Sequence, residues 1–295
     1  VIKAQRGSAD GWIKYVGEKG LTLKGNRSLD SAVIVKDSSF IIIEGVEIKG
    51  GRNHGINVVN SNDVRIINCD ISGYGRVGKQ DFSKDGQFYD ERGKAINGDS
   101  GVFVNYSKNL VIERCYIHDP RGKTNTWYYS HPAGPDPILI QSRGGTVIRY
   151  CDFIGSDQHG WMDGIESTEN GMPDGGFNRD GDIYGNFFAF GNDDGFELDG
   201  GQMNVRAYGN KIEGFLCGVS TAANLRGPSY IYRNIIVNLS DEYGRVGSVI
   251  KNGGGATYSK GITFFFNNTF VTEGGGIAGV GFGYDEDRVL YKGIS

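Results

Sequence analysis

Proline, cysteine and histidine are scarce in this chain, and it has no surplus of positive charge. Only 6 of 295 residues are proline while 49 are glycine. The glycines are scattered among Val, Ile, Phe and Tyr without a triplet period, which excludes a collagen-like rod and argues against disorder. Four cysteines without a Cys-x-x-Cys spacing provide neither a disulfide framework nor a thiolate metal site. His54, His118, His131 and His159 are too dispersed for a zinc signature. A net charge of −4 leaves no basic footprint for nucleic acid. No apolar run approaches the roughly 20 residues of a membrane helix. What remains is a turn-dense, all-β chain. Its opening, VIKAQRG, reads as a strand and not as a signal peptide. Its close, RVLYKGIS, stops mid-pattern, so the expectation is a chain incomplete at one or both ends.

A repeat is present in abundance, and repeats decide architecture. Aligning VRIINCDISG, LVIERCYIHD, TVIRYCDFIG, GDIYGNFFAF, VRAYGNKIEG, SYIYRNIIVN and TFFFNNTFVT puts Cys69, Cys115, Cys151, Asn186, Asn210, Asn234 and Asn268 in one column. Val46 is an earlier member. The closest spacings, 23 residues from Val46 to Cys69 and 24 from Asn186 to Asn210, match one coil of a β-solenoid. Strands that short bury no apolar face alone, so coils stack about 4.8 Å apart. The asparagines are expected to form a hydrogen-bonded ladder, with the cysteines as buried thiols in the same column.

A second strand precedes each segment. Alternation turns Ile56, Val58, Val102, Val104, Ile138, Ile140, Phe196 and Leu198 inward. Asn57, Asn105, Gln141, Glu166, Thr168, Glu197, Asp199 and Ser220 then face outward on one parallel sheet. GGGIAGVGFG, 274 to 283, reads as a glycine-rich solenoid turn and not a nucleotide loop.

The repeat spacing, the internal Asn column and the Gly-led strand starts resemble the pectate-lyase-like superfamily over residues 30 to 290. The resemblance implies an all-β, single-stranded right-handed parallel β-helix, one domain over 1–295. Insertions at about 74–100, 120–135, 156–162, 169–180 and 240–256 would flank a cleft along one sheet. Members are mostly polysaccharide lyases, glycoside hydrolases, epimerases, esterases and viral tailspikes. The implied partner is a polysaccharide or oligosaccharide, not nucleic acid or a membrane, and the implied location is secreted, periplasmic or cell-surface.

Stacking HGWMDGIEST on NDDGFELDGG aligns Asp163 with Asp194 and Glu166 with Glu197, on strands about 5 Å apart. Asp199 follows two residues on. Carboxylates at that density require a raised pKa or a cation. Glycoside hydrolysis is favoured: it needs one carboxyl as acid and another as base or nucleophile, and Glu166, Glu197 and Asp199 supply both without a cofactor.

The alternative is calcium-dependent β-elimination on a uronic-acid polymer. DDGFE resembles the Asp-Asp-x-x-Asp calcium motif of family 9 pectate lyases, which implies Asp163, Asp193, Asp194 and Glu197 as calcium ligands. That family sets a lysine base on the next coil, where CGVSTAANLRG has none, so Lys251 or Arg226 would have to substitute. A non-catalytic glycan-binding solenoid is the third reading. Trp127, Tyr128, Tyr129, His131, His159, Trp161 and Arg226 are expected to bind substrate, since exposed rings suit the apolar faces of sugars.

Overall fold

The computed structural model describes residues 1–18, 20–156, 160–253, 261–273 and 276–280. Three parallel sheets wind around one apolar interior. One coil runs His54–Val59, then Asn62–Ile67, then Asp70–Ser72, and each strand pairs in parallel with its counterpart in the next coil. The third sheet alone stacks nine strands, from Thr22–Lys24 to Thr269–Val271. Among the described strands the antiparallel pair is Lys79–Gln80 with Phe88–Tyr89, in the first insertion.

The alternation holds. Ile56, Val58, Val102, Val104, Ile138, Ile140, Phe196 and Leu198 are all fully buried. Between the second and third sheets each coil turns through one left-handed residue, among them Asn68, Arg114, Gly185, Gly209 and Arg233. The next residue is the column member. A left-handed kink costs any residue with a Cβ, so it persists in non-glycines only where the coil geometry demands it.

The column forms the expected ladder. Asn186 Nδ2 donates to Asn210 Oδ1 at 2.9 Å, and Asn210 and Asn234 repeat the bond toward Asn234 and Asn268 at 3.0 Å each. Cys151 N–H continues it to Asn186 Oδ1 at 3.0 Å, and all four cysteines are buried free thiols. A second ladder, not foreseen from the sequence, runs at the corner between the first two sheets. Ser38 N–H donates to Ser61 Oγ at 3.1 Å and Ser61 N–H to Ser107 Oγ at 3.0 Å.

Glycine at the start of first-sheet strands has a packing reason. A Cβ on Gly195 would lie 2.5 Å from Ile212 Cγ2 and 2.6 Å from the Gly218 carbonyl oxygen, and Gly218 meets Ile236 and Val249 in the same way. The strand there abuts the isoleucine column of the third sheet, leaving no room for a methyl group. The residue before this glycine is Asp163 in one coil and Asp194 in the next, which anchors both carboxylates at the strand mouth.

Two boundaries differ from expectation. The segment 240–256 contains the strand Ile250–Gly253, which extends the first sheet, so it is not wholly an insertion. Within 274–283, residues Ile277–Val280 continue the same sheet as a strand, and residues 274–275 and 281–283 lie outside the described residues. Short strands flanked by glycine carry too little alternation to be told from loops.

Candidate active site

The first sheet carries one outward row in register: Asn57, Phe103, Leu139 and Glu166, then Glu197, Ser220 and Lys251. Between the strands of Glu166 and Glu197 side chains supplement the backbone bonds, which include Gly164 N–H to the Asp194 carbonyl at 3.1 Å and Asp193 N–H to the Met162 carbonyl at 2.9 Å. Asp163 Oδ1 accepts the N–H of Asp194 at 2.6 Å, and Glu197 Oε2 accepts the N–H of Ser167 at 3.3 Å. The carboxylates thus add to the backbone bonds that hold the coil-to-coil register here.

The carboxyls converge as aligned. One oxygen of each of Asp163, Asp193 and Asp194 lies within 4.8 Å of the others, and the same holds for Asp163, Glu166 and Glu197. Apart from the half-exposed Glu166, all are buried. Lys251, expected only as a substitute base, forms an ion pair with Asp194 Oδ2. Trp127 Nε1 donates to Asp193 Oδ1 at 3.0 Å, and His131 Nε2 stands 4.0 Å from Asp193 Oδ2.

Burial drives the electrostatics. It pushes Asp193 up to about 7, with Asp194 beside it adding and Lys251 opposing. Asp199 is pushed up to about 6 by burial, partly offset by Lys251. Asp163 and Glu197 rise well above the carboxylate range, first through burial and then through each other's neighbourhood: Glu197 acts most strongly on Asp163, and Glu166 on Glu197. Burial raises Glu166 too, while hydrogen bonding to Asp163 and Glu197 works against it. Burial alone would lower Lys251, but Asp194, Asp193, Glu197 and Asp199 hold it well above its ordinary value.

Asp136 was missed. It is fully buried, its Oδ1 accepts the N–H of Asp163 at 3.0 Å, and burial followed by Glu166 raises it well above the usual range. Its signal was present in the alignment, since DPILIQ, DGIEST and DGFELD all open with aspartate.

One expectation needs correction. Trp161 is fully buried and stacks parallel to Tyr74 at 6.4 Å, so it is a core residue and no sugar platform. Asp199 follows the end of the strand at Glu197 and is tied to the next coil beside the cluster: Ser220 Oγ, from the row between Glu197 and Lys251, donates to it at 3.0 Å and the Ala222 N–H at 2.7 Å. Arg226 is exposed in the turn beyond Cys217–Ala222 and takes no part in the ion pairs of the cluster. His159 lies outside the described residues.

Tyr128 and Tyr129 lie in the insertion between the third-sheet strand Tyr116–His118 and the first-sheet strand Pro135–Ser142. Tyr128 is 75% exposed and edges against Tyr129 at 4.9 Å, and Tyr243 and Phe82 from two other insertions pack against the pair. Next to Glu166 a groove of about 360 Å³ opens between Asn97, Gly98, Leu139, Thr168 and Asn170.

The donor set fits a hard divalent cation. In Asp163, Asp193 and Asp194 one oxygen is engaged by Asp194 N–H, Trp127 and Lys251 respectively, and Asp194 Oδ1 is buried without a donor among the described residues. All-oxygen ligation of this kind suits calcium.

A solenoid of stacked parallel coils with a carboxylate-lined cleft on one sheet defines a right-handed parallel β-helix. The family profile described as right handed beta helix region matches residues 13–226, and the chain belongs to that family. An alginate lyase from Paenibacillus sp. str. FPU-7 is similar in structure at 13% identity, covering 94% of this chain and 87% of that one, with a TM-score of 0.56. PfbA, a surface adhesin of Streptococcus pneumoniae, is 16% identical over 80% of this chain and 60% of its own, with a TM-score of 0.46. A GH136 lacto-N-biosidase from Eubacterium ramulus is 12% identical over 91% and 59%, with a TM-score of 0.37. At such identities the likeness speaks to the fold alone. No curated protein sequence matches the chain.

Proposed function

We propose that the chain cleaves a uronic-acid polysaccharide by cation-dependent β-elimination at this cluster. The observation that carries the reading is the position of Lys251, whose amino group lies among the carboxylates on Asp194. The absence of a lysine on the coil after the motif was the main argument against elimination, and Lys251 reaches the cluster from the coil beyond.

Elimination breaks the C5–H and C4–O bonds of a uronate, forms the C4–C5 double bond and returns a proton to the departing oxygen. A divalent cation at Asp163, Asp193 and Asp194 would neutralise the substrate carboxylate and acidify the C5 proton. The carboxylates that hold Lys251 protonated are the ones a cation would neutralise; with that hold relieved, its amine would take the C5 proton and the resulting ammonium would be the proton source for the leaving oxygen. Trp127 fixes Asp193, Glu166 borders the groove where the polymer passes, and the Tyr128 and Tyr129 rings offer faces for sugars. Such a substrate places the protein outside the cytoplasm, in a secreted, periplasmic or cell-surface setting.

Glycoside hydrolysis is the second reading, favoured by the convergence of Glu166 and Glu197, which matches the roughly 5 Å separation of retaining enzymes. Against it, Glu197 is buried and held by Ser167 N–H and Asn170. Incubation with acidic and neutral polysaccharides, with and without chelator, separates the two. Ultraviolet absorbance from an unsaturated uronate, lost on chelation, is expected; new reducing ends without that absorbance would establish hydrolysis instead. No cleavage of any polymer would leave the glycan-binding role.

A further inference from the structure

The outward row of the first sheet changes character beside Glu166. In register on the preceding coil stands Leu139, then Phe103 and Asn57, so the cleft floor passes from carboxylates and Lys251 to apolar and neutral side chains. Over that boundary lies the groove of about 360 Å³, walled by Asn97 and Gly98 of one insertion and by Glu169 and Asn170 of another. Its size falls within the roughly 300–1,000 Å³ of small-ligand clefts.

The lining accepts hydrogen bonds and has little to donate. Glu166 and Glu169 bring carboxyl oxygens, and among the described residues no Lys, Arg or His lines the groove. Most of its side-chain donors are committed elsewhere: Ser167 Oγ to the Glu197 carbonyl at 3.2 Å, Thr168 Oγ1 to the Ile140 carbonyl at 3.4 Å and Asn170 Nδ2 to Glu197 Oε2 at 3.0 Å. Asn97 supplies the other side-chain amide. Arg52 and Arg76, at the entries to the strands of Asn57 and Phe103, are held by Asp90, Glu91 and Asp99.

A sugar carboxylate in this groove would meet like charge and no cation. Sugar hydroxyls, in contrast, are donors for the carboxyl oxygens, and the apolar face of a sugar ring fits Leu139. Coils rise about 4.8 Å, so a polymer laid along the sheet with a uronate at Asp163, Asp193 and Asp194 puts its neighbouring sugar over Glu166 and Leu139.

We propose that the groove is a subsite for a neutral sugar, and that the substrate is a mixed polymer in which a neutral sugar is linked to the uronate at the cation site. This rests on the cation-dependent reading above and adds the identity of the neighbouring sugar.

Calcium-loaded protein given either a homopolymeric polyuronate or a polymer alternating uronate and neutral sugar, followed by ultraviolet absorbance, tests the proposal. The expected kcat/KM is tenfold or more higher on the alternating polymer. Glu169→Lys, a change at an exposed residue, should erase most of that preference by giving a second uronate a partner. Equal or faster cleavage of the homopolymer by the unaltered protein would overturn the subsite and leave elimination standing. A preference that Glu169→Lys leaves intact would place its origin outside the groove and overturn the subsite too. Absorbance from neither polymer would overturn elimination. Calorimetric binding of the uncleaved tetrasaccharides in calcium then decides the groove: the alternating one should bind tenfold or more tighter, and a tetrauronate that binds as tightly would overturn the subsite.

Discussion

The amino group of Lys251 closes on Oδ2 of Asp194, a residue 57 positions earlier and two coils away. Asp194 is fully buried and Lys251 nearly so. Truncating one partner of such a pair strands the other charge, at about 3–5 kcal/mol. Lys251→Met should lose roughly that much stability in chelator, measured by denaturant unfolding. Added calcium should restore part of it without restoring cleavage. An unchanged midpoint in chelator would show that the pair contributes nothing.

Stability should fall as pH rises through the range of the buried acids. A carboxyl whose folded pKa lies above its ordinary value binds more protons when native, so its contribution is full below the unfolded value and lost above the folded one. For Asp193 the window runs from 3.8 to about 7, and for Asp199 from 3.8 to about 6. His54 acts oppositely, since burial lowers it from 6.5 to about 4. Asp136, Asp163, Glu166 and Glu197 shift in the same direction as Asp193, so the acids outweigh one histidine. Metal-free protein should melt at lower temperature at pH 7.5 than at pH 5, and calcium should flatten the slope.

Gly195→Ala should destabilise the coil that carries the site. Its methyl would meet the Gly218 carbonyl oxygen and Ile212, both fixed by packing, and overpacking of this kind costs about 1–3 kcal/mol. Gly209→Ala meets nothing within 4 Å but sits at a φ of 62°, so it isolates backbone strain alone and should cost about 1 kcal/mol. Equal losses in the two variants would refute the packing argument.

Asn210→Ala removes the acceptor for both Asn186 nitrogens and the donor to the Ile183 carbonyl, all buried. Unsatisfied groups cost about 1–3 kcal/mol each, so a loss of about 3 kcal/mol or more is expected in denaturant unfolding. Asn210→Cys should lose less, because Cys151 accepts the Cys115 N–H at 3.4 Å and bonds the Ile112 carbonyl at 3.7 Å from the same column.

The exposed tyrosines give a kinetic prediction. Tyr128→Ala and Tyr243→Ala remove rings of the exposed cluster that we propose offers faces to sugars, without touching the carboxylates, so KM should rise severalfold with kcat little changed. A fall in kcat alone would place these rings in the chemistry and not in binding.

The solenoid, its Asn and Cys column and the inward-facing residues were legible because a repeat samples the same physical environment again and again. Each coil independently demands an apolar residue inside, a small hydrogen-bonding residue at the corner and glycine where strand meets sheet. The alignment of Asp163 with Asp194 and Glu166 with Glu197 came from that same periodicity. The sequence by itself thus determined the architecture and which acids would meet.

Only the tertiary structure decided what those acids do with one another. Lys251 reaches its partner across an intervening coil, Asp199 is tied to Ser220, Trp161 sinks into the core, and Asp136 accepts the Asp163 N–H from the preceding coil. These outcomes depend on side-chain reach and on which oxygen finds a donor. A pattern with a period of two along a strand carries information about faces, not about those directions.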